Sequence, residues 1–379
     1  MTTFAHISDT HIRNVKYHEE YRKVFKDIYE SLENDKPDYI IHTGDIAHTK
    51  TQLSPEYFEL CADFLKNLAD IAPTYIILGN HDGNLKNDNR QDAITPVIEA
   101  LQHPNLFLLK NSGETQLTDS ICLNVLSVFD RDNWTTPTDK SMVNIALYHG
   151  AIMGCEINEE WNLEHGEDDI NIFTNFDYAM LGDIHKTQKL DPDGRVWYAG
   201  STVQQNFGES LLKGYLLWDV RDKNNFNVEK RLFMSPRPFY TIEINQDGTL
   251  PKVNVPKNCR LRLVSNYNLP LVKLRMACDY ANAKWSPYSI NFVNRAGYSD
   301  SASIQHDGKT INMRDQNTQE KYIKAFLSDK EITNDVLERV LELNREYSKQ
   351  IKNSDDVSRN IVWKLRKMKW NNLFNYGKN

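Results

Sequence analysis

A layered α/β core with its sheets on the inside is the fold class that this sequence predicts, and three observations predict it. Short runs rich in β-branched and aromatic residues recur from the N-terminus to about residue 233. Stretches of helical apolar spacing lie between them, and strands alternating with helices build a core in layers. Finally, five of the runs are followed at once by Asp, Asn or His, the side chains that carry acid–base and metal chemistry.

Taken in order, Phe4-Ala5-His6-Ile7 reads as the first core strand and Tyr17 to Leu32 as the helix after it. Tyr39-Ile40-Ile41 is the second strand, Pro55 to Ala69 the second helix, and Tyr75 to Leu78 the third strand. Val143 to Leu147 and Tyr178 to Leu181 supply the fourth and fifth. Two prolines in the short stretch Ser235-Pro236-Arg237-Pro238 mark a break, so residues 1–235 are expected to form the first domain. Beyond it, Arg260 to Val264, Leu271 to Trp285 and Ser289 to Val293 read as strand, helix and strand, a small α+β domain over residues 236–313. Residues 314–353 turn helical and charged. Val336, Leu337, Val340, Leu341 and Leu343 give that segment an apolar stripe, which suits a packed helical pair and a docking element for a partner equally well. Residues 354–379 close the sequence as a basic tail, with no acid from Val357 onward.

Composition narrows the function classes. At 379 residues the chain is too long for one small core, and 40% hydrophobic with 26% charged residues is ordinary for a globular protein. No apolar run approaches the roughly 20 residues that span a bilayer, and the N-terminus lacks the basic-then-apolar pattern of a secretory signal. Cys61, Cys122, Cys155, Cys259 and Cys278 are scattered and form no C-x-x-C pair, which argues against a disulfide framework or a zinc ribbon. The expectation is a cytoplasmic protein with reduced thiols and no membrane partner. A net charge of −7 argues against a stand-alone basic DNA-binding domain, although bound cations and a local basic face can reverse the field where it matters.

The five strand-end motifs carry the chemistry. They are Asp9-Thr10-His11, Gly44-Asp45, Gly79-Asn80-His81-Asp82, His149-Gly150 and Gly182-Asp183-Ile184-His185. Strand ends in an α/β sheet aim their loops at one crevice. A cluster of carboxylates and imidazoles there is poorly solvated and self-repelling unless cations hold it. Hard oxygen and imidazole donors without thiolate suit manganese, magnesium, iron or zinc. One ion cannot use so many ligands, so two are expected. Asp9, His11 and His185 are assigned to the first, Asn80, His149 and Asp183 to the second, and Asp45 bridges both. Two such ions about 3.5–4 Å apart can clamp a phosphate and bring the pKa of water down to roughly 7. His81, beside Asn80, is the candidate to protonate the leaving oxygen or to stabilise the phosphoryl charge, with Asp82 orienting it. His6 and His42 read as core residues.

This ordered set resembles the calcineurin-like metallophosphoesterases over residues 3 to about 201. The resemblance implies a two-sheet sandwich flanked by helices with a di-metal site at one edge. Tyr198-Ala199-Gly200-Ser201, then Gln204 to Glu209 and Gly214-Tyr215, with His6 to His11 at the start, is similar to the nuclease subunits of the SbcD type. That narrower resemblance implies a metal-dependent DNA exonuclease and endonuclease acting at DNA ends, with a capping domain after the core. It also implies C-terminal helices that bind an SbcC-type ATPase, and homodimerisation, which is common in the family. The family's last motif is Gly-His-x-His, whereas Asp183 stands here. The added charge implies a harder site preferring manganese or magnesium, or else a weakened second site. Met368 to Gly377 resembles the opening strand of an SbcC-type ATPase with no Walker A loop after it, which implies the nuclease part of a nuclease–ATPase fusion. The alternatives are a phosphatase or small-molecule phosphodiesterase of the same superfamily, and a non-catalytic scaffold for DNA or an ATPase.

Overall fold

The strand-and-helix alternation resolves into two six-stranded sheets. The computed structural model describes residues 1–49, 53–85, 87, 90–157, 163, 166–295, 303–306, 309–312, 316–327 and 334–354. The first sheet is built from β1 (Thr2–Ile7), β2 (Tyr39–His42), β3 (Thr74–Ile76) and β4 (Leu106–Leu108), which run parallel in that order. The second contains β5 (Gly113–Thr118), β6 (Ile121–Leu126), β7 (Val143–His149), β8 (Tyr178–Gly182), β9 (Gln188–Lys189) and β10 (Val196–Tyr198), in the spatial order β5-β6-β7-β8-β10-β9. Strands β6, β7, β8 and β10 are parallel there, with antiparallel edges. The chain then returns to the first sheet, where β11 (Leu212–Val220) lies antiparallel to β1 and β12 (Phe226–Met234) forms the edge.

Period-two alternation assigns each strand's side chains to a layer. On β1, Ala5 and Ile7 face one cluster with the helices α1 (His18–Asp35), α2 (Pro55–Ile71) and α3 (Thr95–Leu101), while Phe4 faces the other sheet. On β7, Ile145 and Leu147 enter the inter-sheet core, and Ala146 and Tyr148 the outer one. Helix α1 buries Tyr21, Val24, Phe25, Ile28 and Leu32 at three- and four-residue spacing, and it stops where Lys36 turns left-handed. Helix α2 opens on Ser54, whose hydroxyl accepts the Tyr57 N–H at 3.3 Å, with Pro55 in the first turn. His6 and His42 are core residues as expected. Their Nε2 atoms lie 3.0 Å from Thr43 Oγ1 and 2.8 Å from Thr10 Oγ1.

The Ser235–Pro238 break separates β12 from β13 (Phe239–Ile244). Strands β13, β14 (Arg260–Ser265) and β15 (Ser289–Asn294) form a three-stranded sheet. Helix α4 (Leu271–Trp285) shares with it a small core that includes Ile242, Leu261, Leu263 and Ala281. The chain divides into compact units between Val293 and Asn294, so the sandwich and this small sheet belong to one unit. The second unit contains a hairpin, β16 (Ser303–His306) and β17 (Lys309–Asn312), and two helices, α5 (Gln316–Leu327) and α6 (Asn334–Ser354). Arg345 on α6 grips Glu320 on α5 through bonds of 2.7 and 2.9 Å. In the expected apolar stripe of α6, Leu341 is buried and Val336 exposed. Residues 355–379, with the segment Met368 to Gly377, lie outside the described residues. No described helix is long and apolar enough to cross a membrane.

Candidate metal centre

The C-terminal ends of β1, β2 and β3 in one sheet and of β7 and β8 in the other bring all five motifs to one edge of the sandwich. The backbone is bent hard to do this. Asp9, His11, Asp45 and Asp183 have φ of 49°, 46°, 58° and 95°, a region that side-chain-bearing residues rarely enter and that persists where surrounding structure enforces it. Here the enforcing bonds are visible. Asp9 N–H donates to Gly44 O at 3.1 Å and His11 N–H to Asp45 O at 2.9 Å, which laces the first loop to the second. Gly44, at φ 95°, leaves no room for a side chain, since a Cβ there would lie 2.6 Å from Gly79 N and 2.7 Å from His149 Nδ1.

The donor atoms converge on a small volume. His11 Nε2 and His185 Nε2 face each other at 3.0 Å. That is the spacing of two neighbouring ligands on one octahedral ion, which sit about 2.1 Å from it and so about 3 Å apart. His11 Nε2 lies 3.8 Å from Asp9 Oδ1 and 3.5 Å from Asp45 Oδ2. The same Asp45 oxygen is 3.4 Å from His149 Nε2, so Asp45 stands between the two halves of the cluster. His149 Nε2 is 3.8 Å from Asp183 Oδ1, which accepts a hydrogen bond from Asn80 Nδ2 at 3.2 Å. Asp9, His11 and His185 form one group able to hold an ion, and Asp9, Asp45 and His149 another. All seven residues assigned as ligands from the sequence therefore meet at this edge.

The electrostatics of the cluster suit divalent cations. Burial drives the Asp9 carboxyl up to about 6, against the pull of His149 and His185. Burial also raises Asp183, again opposed by His149. Burial would lower His149, but the Asp45 carboxylate, backed by Asp9 and Asp183, raises it well above its ordinary value. His11 is pushed down to about 3 by burial, which keeps the neutral imidazole that ligation requires. His149 Nε2 is fully buried and has no hydrogen-bond partner, a costly condition for a polar atom that ligation would relieve. Its other nitrogen, Nδ1, donates to Thr43 O at 2.7 Å, which aims Nε2 into the cluster. The donor set and its geometry fit divalent ions.

His81 is exposed at the rim, with a ring nitrogen within 4.8 Å of donors on His11 and Asp45. Its backbone N–H donates to Asp45 Oδ1 at 2.8 Å and its Nδ1 to His48 O at 2.8 Å. The expected role of Asp82 is corrected here. Asp82 does not orient His81. It is buried and accepts the backbone N–H groups of Asp45 (2.8 Å), Ala47 (2.8 Å) and Gly79 (3.0 Å), so it ties the second and third loops together. His48 supplies the carbonyl that holds His81, and its ring stacks on the His81 ring at 6.3 Å. Sequence reasoning named Glu209 within the Gln204 to Glu209 run but gave it no role at the site, and its carboxylate accepts from His185 Nδ1 at 2.8 Å. An acid next to a motif residue in space but 24 residues away in sequence carries no spacing signal.

Residues 2–186 match the family described as calcineurin-like phosphoesterase. An uncharacterized protein of Acanthamoeba polyphaga mimivirus is 31% identical over 98% of this chain, and the chain spans 29% of that protein's length. A putative phosphoesterase of Invertebrate iridescent virus 6 is 24% identical, with 60% of this chain and 81% of that protein covered. The SbcD component of the nuclease SbcCD of Staphylococcus epidermidis is 22% identical, with 86% of this chain and 99% of that protein covered. The two-sheet sandwich, the donor set at its edge and the match over residues 2–186 agree: residues 2–186 are a calcineurin-like metallophosphoesterase domain.

Proposed function

We propose that this chain is a manganese-dependent DNA nuclease that hydrolyses phosphodiesters at DNA ends, magnesium being the alternative metal. The observation that carries the reading is the extent of the likeness to the SbcD component of the SbcCD nuclease. It takes in 86% of this chain and 99% of that protein, far beyond residue 186, where the phosphoesterase match stops. A likeness confined to the catalytic domain would favour a phosphatase equally.

In this reading Asp9, His11 and His185 hold one ion, Asn80, His149 and Asp183 the other, and Asp45 both. Two divalent ions held there would lower the pKa of water toward neutrality and offset the phosphoryl charge. The chain's own residues do the rest. His81 stands at the exposed rim, anchored at its N–H and at Nδ1, and delivers a proton to the departing alkoxide oxygen. Asp82 keeps the Asp45 and Asn80 loops in register by its three backbone bonds. Asp183 brings a carboxylate where an imidazole is usual in the resembled family, which favours the harder ions.

An SbcC-type ATPase is the proposed partner, docked through the helices α5 and α6, and a homodimer is the proposed assembly. The chain spans 29% of the mimivirus relative's length, and a fusion of the nuclease to an ATPase is part of the same proposal. The test is degradation of end-labelled double-stranded DNA with manganese, for the native chain, Asp45→Ala and His81→Ala. Manganese-dependent loss of label in the native chain alone supports the reading. Hydrolysis of a nitrophenyl phosphate ester with DNA left intact, even with the ATPase added, would favour the phosphatase.

A further inference from the structure

A histidine ligand is only as well placed as the group on its other ring nitrogen. The two histidines at the ends of the second-sheet strands differ in this respect. His149 leans on a neutral backbone carbonyl, Thr43 O, at 2.7 Å. His185 leans on a carboxylate, with Nδ1 donating to Glu209 Oε1 at 2.8 Å.

The surroundings of Glu209 are elaborate for a loop residue. Its side chain is 7% exposed, and its Oε2 takes the Gln205 N–H at 2.9 Å, the Ser201 hydroxyl at 3.2 Å and Lys213 Nζ at 3.0 Å. Lys213 is itself 3% exposed and gives a second bond to the carbonyl of His185 at 2.8 Å. Charged groups are buried at a cost unless paired and fully hydrogen-bonded, and here they are both. The bonds meet on Glu209, which holds the ring of His185, while Lys213 holds its carbonyl. They also come from residues 201–213, beyond the stretch 2–186 that the family match covers.

We infer that Glu209 is a positioning residue for the ion assigned to Asp9, His11 and His185, with Lys213 fixing Glu209, so that residues 201–213 complete a metal site begun by the phosphoesterase domain. The inference rests on the metal assignment proposed above. With its Nδ1 proton committed to Glu209, the His185 ring presents the lone pair of Nε2, 3.0 Å from His11 Nε2. A carboxylate behind the ring also makes that nitrogen a stronger donor than a carbonyl does. The ion held by His149 has no such dependence on Glu209.

The experiment is a manganese titration of the metal-stripped full chain, followed by calorimetry and by the electron-spin signal of free manganese. Glu209→Gln keeps the shape and an acceptor oxygen but removes the charge. It is expected to weaken one of the two ions by about 10–100-fold and leave the other at native affinity. Lys213→Met should weaken the same ion, and His149→Ala the other. Nitrogen-15 spectra of the metal-free chain should show the Nδ1-protonated form of His185 in the native protein and a mixture of forms in Glu209→Ala. Native affinity at both sites in Glu209→Gln overturns the inference. So does equal weakening of both sites, or a lowered unfolding temperature of the metal-free Glu209→Gln chain with unchanged metal affinity, since each would make Glu209 a staple for its loop. A native chain that takes up no divalent ion overturns the site reading itself and this inference with it.

Discussion

Replacing His81 by alanine separates proton delivery from metal binding. The His81 side chain hydrogen-bonds through Nδ1, which donates to His48 O at 2.8 Å, and its exposed ring lies against the rings of His48 and His11. The contact that matters to the ligand cluster is its backbone N–H on Asp45 Oδ1 at 2.8 Å, which alanine retains. Metal uptake should therefore be unchanged. With the Nδ1 proton committed to a carbonyl, the ring can give up a proton at Nε2 only when doubly protonated. Loss of a general acid slows a reaction by about 10²–10⁴, equivalent to about 3–5 kcal/mol of barrier. That loss is expected on DNA, whose alkoxide leaving group needs a proton. On a bis-nitrophenyl phosphate, whose nitrophenolate leaves unaided, the loss should stay below about tenfold. The assay is kcat on both substrates at saturating manganese, with bound metal measured alongside. Equal losses on the two substrates, or a loss of bound metal, would refute the assignment of His81 as the acid.

Three further outcomes are expected. Gly44→Ala should lower stability by about 1–3 kcal/mol, read from the urea midpoint, because its Cβ would press on Gly79 N and His149 Nδ1 at a φ of 95°. It should also reduce metal uptake through the displaced His149. Glu20→Ala should cost about 3–5 kcal/mol, because it strands the buried Arg260 guanidinium, which holds Glu20 Oε2 at 2.9 Å; calorimetric unfolding checks this. His6 is fully buried, and burial, with His42 adding to it, pushes its pKa down from 6.5 to about 3. The folded state thus keeps His6 neutral while the unfolded chain takes up a proton. The stability of the metal-free chain is whole above pH 6.5 and falls by roughly 1 kcal/mol per pH unit on this account as the pH drops toward 3. Urea midpoints at pH 7.5 and 5.5, with His6→Gln as the comparison, should show a shallower fall in the variant.

Legibility from sequence followed the physics of each element. Strands β2, β7 and β8 carry largely apolar runs because both of their faces are buried, and their positions were read to within about two residues. Helix α4 was read end to end as Leu271 to Trp285, with Pro270 before it and the left-handed Ser286 after it. Strand β5, Gly113–Thr118, is a half-exposed edge with the run GETQLT, so it lacks any apolar signature. The return of β11 to lie beside β1 rather than in the second sheet is long-range pairing, which no local pattern encodes. The seven candidate ligands were legible as a set because strand-end geometry gathers them into motifs. Their supports were not. Thr43 O on His149, His48 O on His81 and Glu209 on His185 are contacts across 106, 33 and 24 residues, two of them made by backbone carbonyls that every residue type possesses. Asp82 was misassigned for the same reason, since the atoms it serves are backbone N–H groups on other loops.

The central claim is that Asp45 stands between two divalent ions at the edge of the sandwich. Anomalous diffraction at the manganese edge, from crystals of the chain grown with manganese, tests it directly. The account predicts two peaks about 3.5–4 Å apart, one bounded by Asp9, His11 and His185, the other by Asn80, His149 and Asp183, with Asp45 touching both. A single peak, or a second one away from His149 and Asp183, would contradict it.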